Sequence, residues 1–287
     1  MSEPVTESGT PSRRRRATSD EPRASAIETA ALTRRFGTLV AVDALNLAIR
    51  AGAIFGLLGT NGAGKTTVIK MLTTLLAPSS GTARVAGFDV THEAGEVRRH
   101  IGYVSQMLSA DGELTGYENL LISAKLYGLP RNVRRERIDE ALHFMEIEGA
   151  ADRLVSRYSG GMIRRLEIAQ SMLHRPQVLF LDEPTVGLDP LARHAVWERI
   201  RLLRQQFGTT ILMTTHDMEE ADQLCDSVAL MTLGRLVALG APAALKLALG
   251  PEATLDDVFI HYTSGAAAER GTFQDAVRAR RTAHRLE

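Results

Sequence analysis

Cysteine is nearly absent: Cys225 is the one thiol in 287 residues. An intrachain disulfide and a cysteine-based zinc site are therefore excluded, which suits a reducing compartment. Also missing is any uncharged apolar run of the roughly 18–20 residues that cross a bilayer. The nearest, residues 51–64, is short and broken by glycines. Net charge is lacking too, with 34 Lys and Arg against 34 Asp and Glu. Nucleic-acid binders tend to be basic, so no nucleic acid is expected as a partner. The four arginines at residues 13–16 are followed by no apolar segment and do not read as a secretory signal. We expect a chain kept in the cytoplasm.

What is present is a large apolar share, 44%, enough for a substantial core. Residues 1–25 stand apart: rich in Ser, Thr, Pro, Glu and Arg, they cannot offset their ordering entropy by burial and are expected to be a disordered tail. Their arginine run reads as solvated charge, or as a weak attraction to an anionic membrane surface. From residue 26 the pattern becomes regular. "AVDALNLAI" alternates like a half-buried strand, and "AIFGLLG", "VLFLDEP" and "TTILMTTH" are short apolar runs of buried-strand type. A helix is expected from Lys65 and another over Pro190–Phe207. Strands alternating with helices predict an α/β fold with a mostly parallel sheet covered on both faces. Residues 117–172 instead read as consecutive helices, with Ile138, Ala141, Leu142 and Met145 on one stripe, so a helical subdomain inserted at about 107–172 is expected. No internal repeat is visible. Residues 234–240 would supply the last strand of a domain spanning 26–240. The extension, 241–287, has Leu255, Val258, Phe259 and Tyr262 at helical spacing, and its last ~20 residues read as a frayed, solvated helix or a regulatory contact.

"GTNGAGKTT" satisfies G-x-x-x-x-G-K-[ST] through Gly59, Gly64, Lys65 and Thr66, with a strand before it and a helix after it. Glycines let the backbone curl so that successive N–H groups face one anionic centre, and the helix N-terminus adds partial positive charge. Lys65 is expected against the β- and γ-phosphates of a nucleotide, and the Thr66 hydroxyl on Mg²⁺. Asp182 ends a buried apolar strand, where a carboxylate is costly unless a cation compensates; Mg²⁺, reached through a bound water, would do so. Glu183 follows and can orient and deprotonate a water in line with the γ-phosphate. A second stretch, "YSGGMIRRLEIAQ", also puts serine and two glycines at the start of a helical pattern, as if to receive phosphate, but without a lysine.

"GTNGAGKTT", "YSGGM", "LFLDEP", "GLD" and His216 occur in the order and approximate spacing of ABC-transporter ATPase domains, and residues 26–240 resemble such a domain throughout. "YSGGMIRRLEIA", "LDEPTVGLDP" and "LDDVF" are most similar to the ATPase subunits of drug-resistance exporters related to the daunorubicin exporter. The resemblance implies a P-loop NTPase core with antiparallel strands at its N-terminal edge. It implies ATP and Mg²⁺ as ligands, the phosphates held by Gly59, Thr60, Asn61, Gly62, Ala63, Gly64, Lys65, Thr66 and Thr67. Ser159, Gly160 and Gly161 would bind the γ-phosphate of ATP held by another copy's loop, so that ATP closes a twofold homodimer. Tyr158 and Met162 stand where leucine and glutamine are commoner, and Ile163 where arginine is common in the exporters.

The same resemblance assigns further positions. Phe36 would stack on adenine, or is simply a core aromatic at a strand end. Gln106 would reach Mg²⁺ or the attacking water. Asp189 reads locally as a helix N-cap before Pro190 and in the family also crosses the dimer interface. His216 would sit on the γ-phosphate. A separate membrane permease is implied as partner, docking near residues 106–121 and holding the chain at the cytoplasmic face of the cell membrane. The expected function is the ATP-hydrolysing motor of an exporter for a drug, antibiotic or other hydrophobic compound. The rival is a non-transport ABC ATPase of translation or DNA repair; such factors commonly carry two ATPase units, long coiled coils or zinc cysteines.

Overall fold

The computed structural model describes residues 25–268; the readings of the N-terminal tail with its arginines and of the last segment lie outside these residues. In chain order the elements are β1 (Ser25–Phe36), β2 (Leu39–Arg50), β3 (Ile54–Leu58), α1 (Lys65–Leu72), β4 (Ser80–Val85), β5 (Phe88–Asp89), α2 (Ala94–His100), β6 (Ile101–Val104), α3 (Gly116–Leu126), α4 (Arg131–Phe144), α5 (Gly160–Met172), β7 (Val178–Asp182), α6 (Pro190–Phe207), β8 (Thr210–Thr215), α7 (Met218–Leu224), β9 (Ser227–Thr232), β10 (Arg235–Gly240), α8 (Pro242–Leu249) and α9 (Leu255–Ala268).

A six-stranded sheet runs β10-β9-β3-β8-β7-β6, parallel except for β10. Its central strands β3, β7 and β8 are buried along their whole length, which is why they are continuous apolar runs rather than alternating ones. Successive side chains point to opposite faces. Val178 and Phe180 of β7 join one core with Phe55, Leu57 and Leu212, while Leu179 and Leu181 join the other with Ile211 and Met213.

The N-terminal antiparallel strands form a four-stranded sheet of their own, β2-β1-β4-β5. β1 pairs with β2 on one side and β4 on the other, so no edge of it remains for the parallel sheet. Ile27, Leu32, Leu45 and Ile49 turn this sheet's apolar face, together with α1, onto the first core.

The second core lies under helices. Between β6 and β7 the chain runs through α3, α4 and α5 without a named strand, and Ile138, Leu142 and Met145 are buried there. Tyr158, the departure from leucine, is buried; its hydroxyl donates to the Ala150 carbonyl at 2.6 Å. Gly116 makes room for it, since a Cβ there would lie 2.2 Å from that hydroxyl. Met162 and Ile163 pack half-buried against the same core. α6 begins and ends where its sequence dictates: Asp189 accepts from the Ala192 amide at 2.9 Å, Pro190 occupies the first turn, and Gly208 at φ 66° stops the helix. α9 docks through Leu255 and Val258. Cys225 is buried as well, and burial pushes its thiol well above the ordinary range, leaving it inert.

Candidate active site

The site gathers at the C-terminal ends of β3, β7 and β8. The loop from Gly59 leaves β3 and enters α1 at Gly64, whose φ of 107° and whose approach to the Ala41 carbonyl (2.5 Å from any added Cβ) admit no side chain. The loop is braced from below, where the Gly234 amide donates to the Ala63 carbonyl at 2.9 Å. Thr60, Asn61, Gly62 and Thr66 face solvent, Thr67 is half-buried, and Ala63 and Lys65 are buried. Lys65 Nζ donates to the Gly59 carbonyl at 2.7 Å and the Thr60 carbonyl at 3.3 Å, and lies 3.4 Å from Glu183 Oε1. Burial lowers its pKa from the ordinary lysine value, and the Glu183 carboxylate pulls the other way.

Asp182 sits at the end of β7, opposite Thr214 of β8 in the parallel register. Its Oδ1 accepts from the Thr214 hydroxyl at 2.5 Å and faces the Thr66 hydroxyl at 3.4 Å. Burial, reinforced by the negative charge of Asp182, pushes the Tyr103 hydroxyl up to about 12. Glu183 takes φ 48°, a left-handed conformation that a glutamate rarely adopts and that must be held by its surroundings. The hold is Thr214 again: the Glu183 amide donates to its carbonyl at 3.1 Å and to its hydroxyl at 3.0 Å. The turn aims the Glu183 carboxylate back at the loop. Besides Lys65 it meets Gln106 Nε2 at 3.3 Å and His216 Nδ1 at 3.3 Å. Lys65, Gln106, Asp182, Glu183, His216 and Thr66 thus form one cluster.

Ser159, Gly160 and Gly161 are elsewhere. Ser159 caps α5, its hydroxyl accepting from the Met162 amide at 3.3 Å. The two glycines lie against the start of α6, where added Cβ atoms would come within 3.3 Å of Leu188 and 2.7 Å of Ala192. Among the described residues, no hydrogen bond or ion pair joins these three to Lys65, Thr66, Asp182 or Glu183. Asp189 stands beside them as the cap of α6. Phe36 is half-buried at the end of β1, with the Arg34 guanidinium 4.7 Å from its ring centroid.

Sequence reasoning missed Thr214, because a threonine in "TTILMTTH" reads simply as a strand former; the signal was its place opposite Asp182, visible only once the register is known. It also missed Arg164 and Glu167, which hold the loop of Gln106 from α5.

Residues 42–186 match the family described as ABC transporter. The daunorubicin/doxorubicin resistance ATP-binding protein DrrA of Streptomyces peucetius is 49% identical over 225 residues, 78% of this chain and 68% of that one. The Nod factor export ATP-binding protein I of Ralstonia nicotianae is 45% identical over 214 residues, 75% of this chain and 66% of its own. Among solved structures, an ATP-binding subunit of an ABC transporter superposes with a TM-score of 0.74 at 29% identity, covering 83% of this chain and all (100%) of the other. CbiO1 of Clostridium perfringens, part of the ABC transporter complex cbiONQ, gives 0.72 at 28% identity, covering 78% and 91%.

Thr214→Val keeps the side-chain shape but takes the nearest donor from a buried carboxylate. It is expected to cost about 1–3 kcal/mol of stability, read as a lower urea midpoint at unchanged slope. An unaltered midpoint would show that the hydroxyl does not support Asp182.

Proposed function

For a chain that belongs to the ABC transporter family of ATP-binding, ATP-hydrolysing subunits, we propose the role of motor for an exporter, driving a drug, antibiotic or other hydrophobic compound through a separate permease at the cytoplasmic face of the membrane. The observation that carries the catalytic part is the convergence of Lys65, Gln106 and His216 on the Glu183 carboxylate beside the phosphate loop.

In this reading Lys65 and the amides of residues 59–67 take the β- and γ-phosphates. Phe36, backed by Arg34, offers a ring face to adenine. Glu183 accepts a proton from a water whose oxygen attacks the γ-phosphorus; the bond from phosphorus to the β,γ-bridging oxygen breaks, and ADP departs with that electron pair. His216 and Gln106 orient the water and the γ-phosphate. Mg²⁺ fits the donor set, which is hard oxygen: the Thr66 hydroxyl lies beside the Asp182 carboxylate, and Gln106 would add its amide oxygen. When bound it would neutralise charge on the β- and γ-phosphates.

Ser159, Gly160 and Gly161 serve a second copy. A helix N-terminus with free amides and a hydroxyl receives phosphate without a lysine, which the partner's loop already provides. Two copies facing head to tail then enclose two nucleotides, with Asp189 at the seam. Each charge-assisted hydrogen bond to phosphate is worth about 1.5–3 kcal/mol, so loss of the γ-phosphate on hydrolysis weakens closure and lets the pair reopen. Support for a permease contact is the apolar exposure next to Gln106: Met107 is 81% exposed and Leu108 53%. Support for the cargo class is the likeness to the daunorubicin/doxorubicin resistance protein.

Glu183→Gln is expected to bind ATP but to turn over roughly 10²–10⁴ times more slowly, the worth of a general base, and to accumulate as an ATP-bound dimer in gel filtration. Normal turnover would remove Glu183 from the role. Ser159→Arg gives up a helix cap, costing about 1 kcal/mol, yet should leave ATP affinity intact while abolishing ATP-driven dimerisation in light scattering; dimers forming as before would refute the shared site. Extracted with detergent from its own cells, the chain should carry a polytopic membrane protein with it, and Met107→Asp with Leu108→Asp should lose that companion. Ribosomes or DNA in its place would favour the translation or repair reading.

A further inference from the structure

α5 carries more than the cap at Ser159. Further along it, Arg164 and Glu167 are 2% and 4% exposed, a rare setting for charged side chains. They pair with each other, Arg164 Nη1 lying 3.1 Å from Glu167 Oε2. Both also reach out of the helix to one loop. Arg164 Nη1 donates to the Ser105 carbonyl at 2.7 Å and Nη2 to the Gln106 carbonyl at 2.9 Å. Glu167 Oε1 accepts from the Ser109 amide and from its hydroxyl at 3.1 Å. The ion pair therefore grips residues 105–109 at both ends. Gln106 is held by its carbonyl while its side chain stays exposed and extends its amide to Glu183. Apolar packing does not fix such a loop; Met107 and Leu108 point into solvent. Charge-assisted bonds to its backbone do.

We propose that Arg164 and Glu167 are positioning residues for hydrolysis: they make the Gln106 loop a rigid extension of α5 and so set where the Gln106 amide meets Glu183. Because Ser159 caps the same helix, the surface offered to a partner copy's nucleotide and the amide offered to the chain's own site move as one body. This deepens, and rests on, the reading of Gln106 and Ser159 given above. A purely structural ion pair would stabilise the fold without favouring any one catalytic group.

The two cases separate in a double-mutant cycle on the full chain. Removing one partner strips a buried charge of its counter-ion and threatens folding, so the clamp is removed whole, as Arg164→Met with Glu167→Leu, with folding checked by circular dichroism. Steady-state ATP turnover and ATP affinity are measured for the parent, the clamp variant, Gln106→Ala and their combination. The clamp variant should lose about tenfold to hundredfold in turnover, the scale of a small misplacement at a reacting centre, with ATP affinity nearly unchanged. In the Gln106→Ala background its removal should cost little more. Equal losses in both backgrounds, or no loss in the first, would overturn the proposal. If Gln106→Ala itself turns over normally, the reading of Gln106 falls, and the positioning role with it. Should the whole clamp variant fail to fold, Arg164→Lys, which keeps the charge but cannot span both carbonyls, enters the same cycle, with an intermediate loss expected only where Gln106 is present.

Discussion

The structure turns on one buried pair, the Lys65 ammonium against the Glu183 carboxylate. Either charge alone in that position would be costly, and together they join the loop after β3 to the end of β7. Much of the local design serves to bring these two side chains together. Lys65 opens α1, so its ammonium folds back over its own loop. Glu183 turns back only because its backbone is held in a left-handed conformation, and the residue that holds it, Thr214, also bonds Asp182. One threonine on the neighbouring strand thus fixes the orientation of two consecutive carboxylates. Parallel register places it there: Asp182 and Thr214 are opposite because β7 and β8 run the same way.

How much of this could be read from the chain depended on how local the cause was. The loop at 59–67, the strand ending in Asp182 and Glu183, and the bounds of α6 are written in short stretches, since glycines, caps and apolar runs act over a few residues. The fold class followed from the same signals. The separate antiparallel sheet did not, because alternation in residues 41–49 says that a strand exists without naming its neighbours: β1, its partner, lies just before it, but the other edge of β1 is taken by β4, which follows only after β3 and α1. β9 escaped notice as a short apolar run. Thr214 and the pair Arg164 and Glu167 were illegible for a related reason: threonine in a strand and opposite charges three apart on a helix have ordinary meanings, and only tertiary placement makes them something else.

The three departures in the serine-glycine stretch resolve the same way. Met162 and Ile163 each pack one side against the helical core.

Tyr158 has a wider consequence. Its hydroxyl occupies the volume that any side chain at position 116 would need, and Gly116 in turn exposes the Ala151 and Arg153 carbonyls to the first amides of α3. The two positions are therefore yoked: alanine at 116 requires the loss of the tyrosine, and leucine at 158 would leave a hole beneath the glycine. Grafting this helix start into a relative would have to carry both residues or neither.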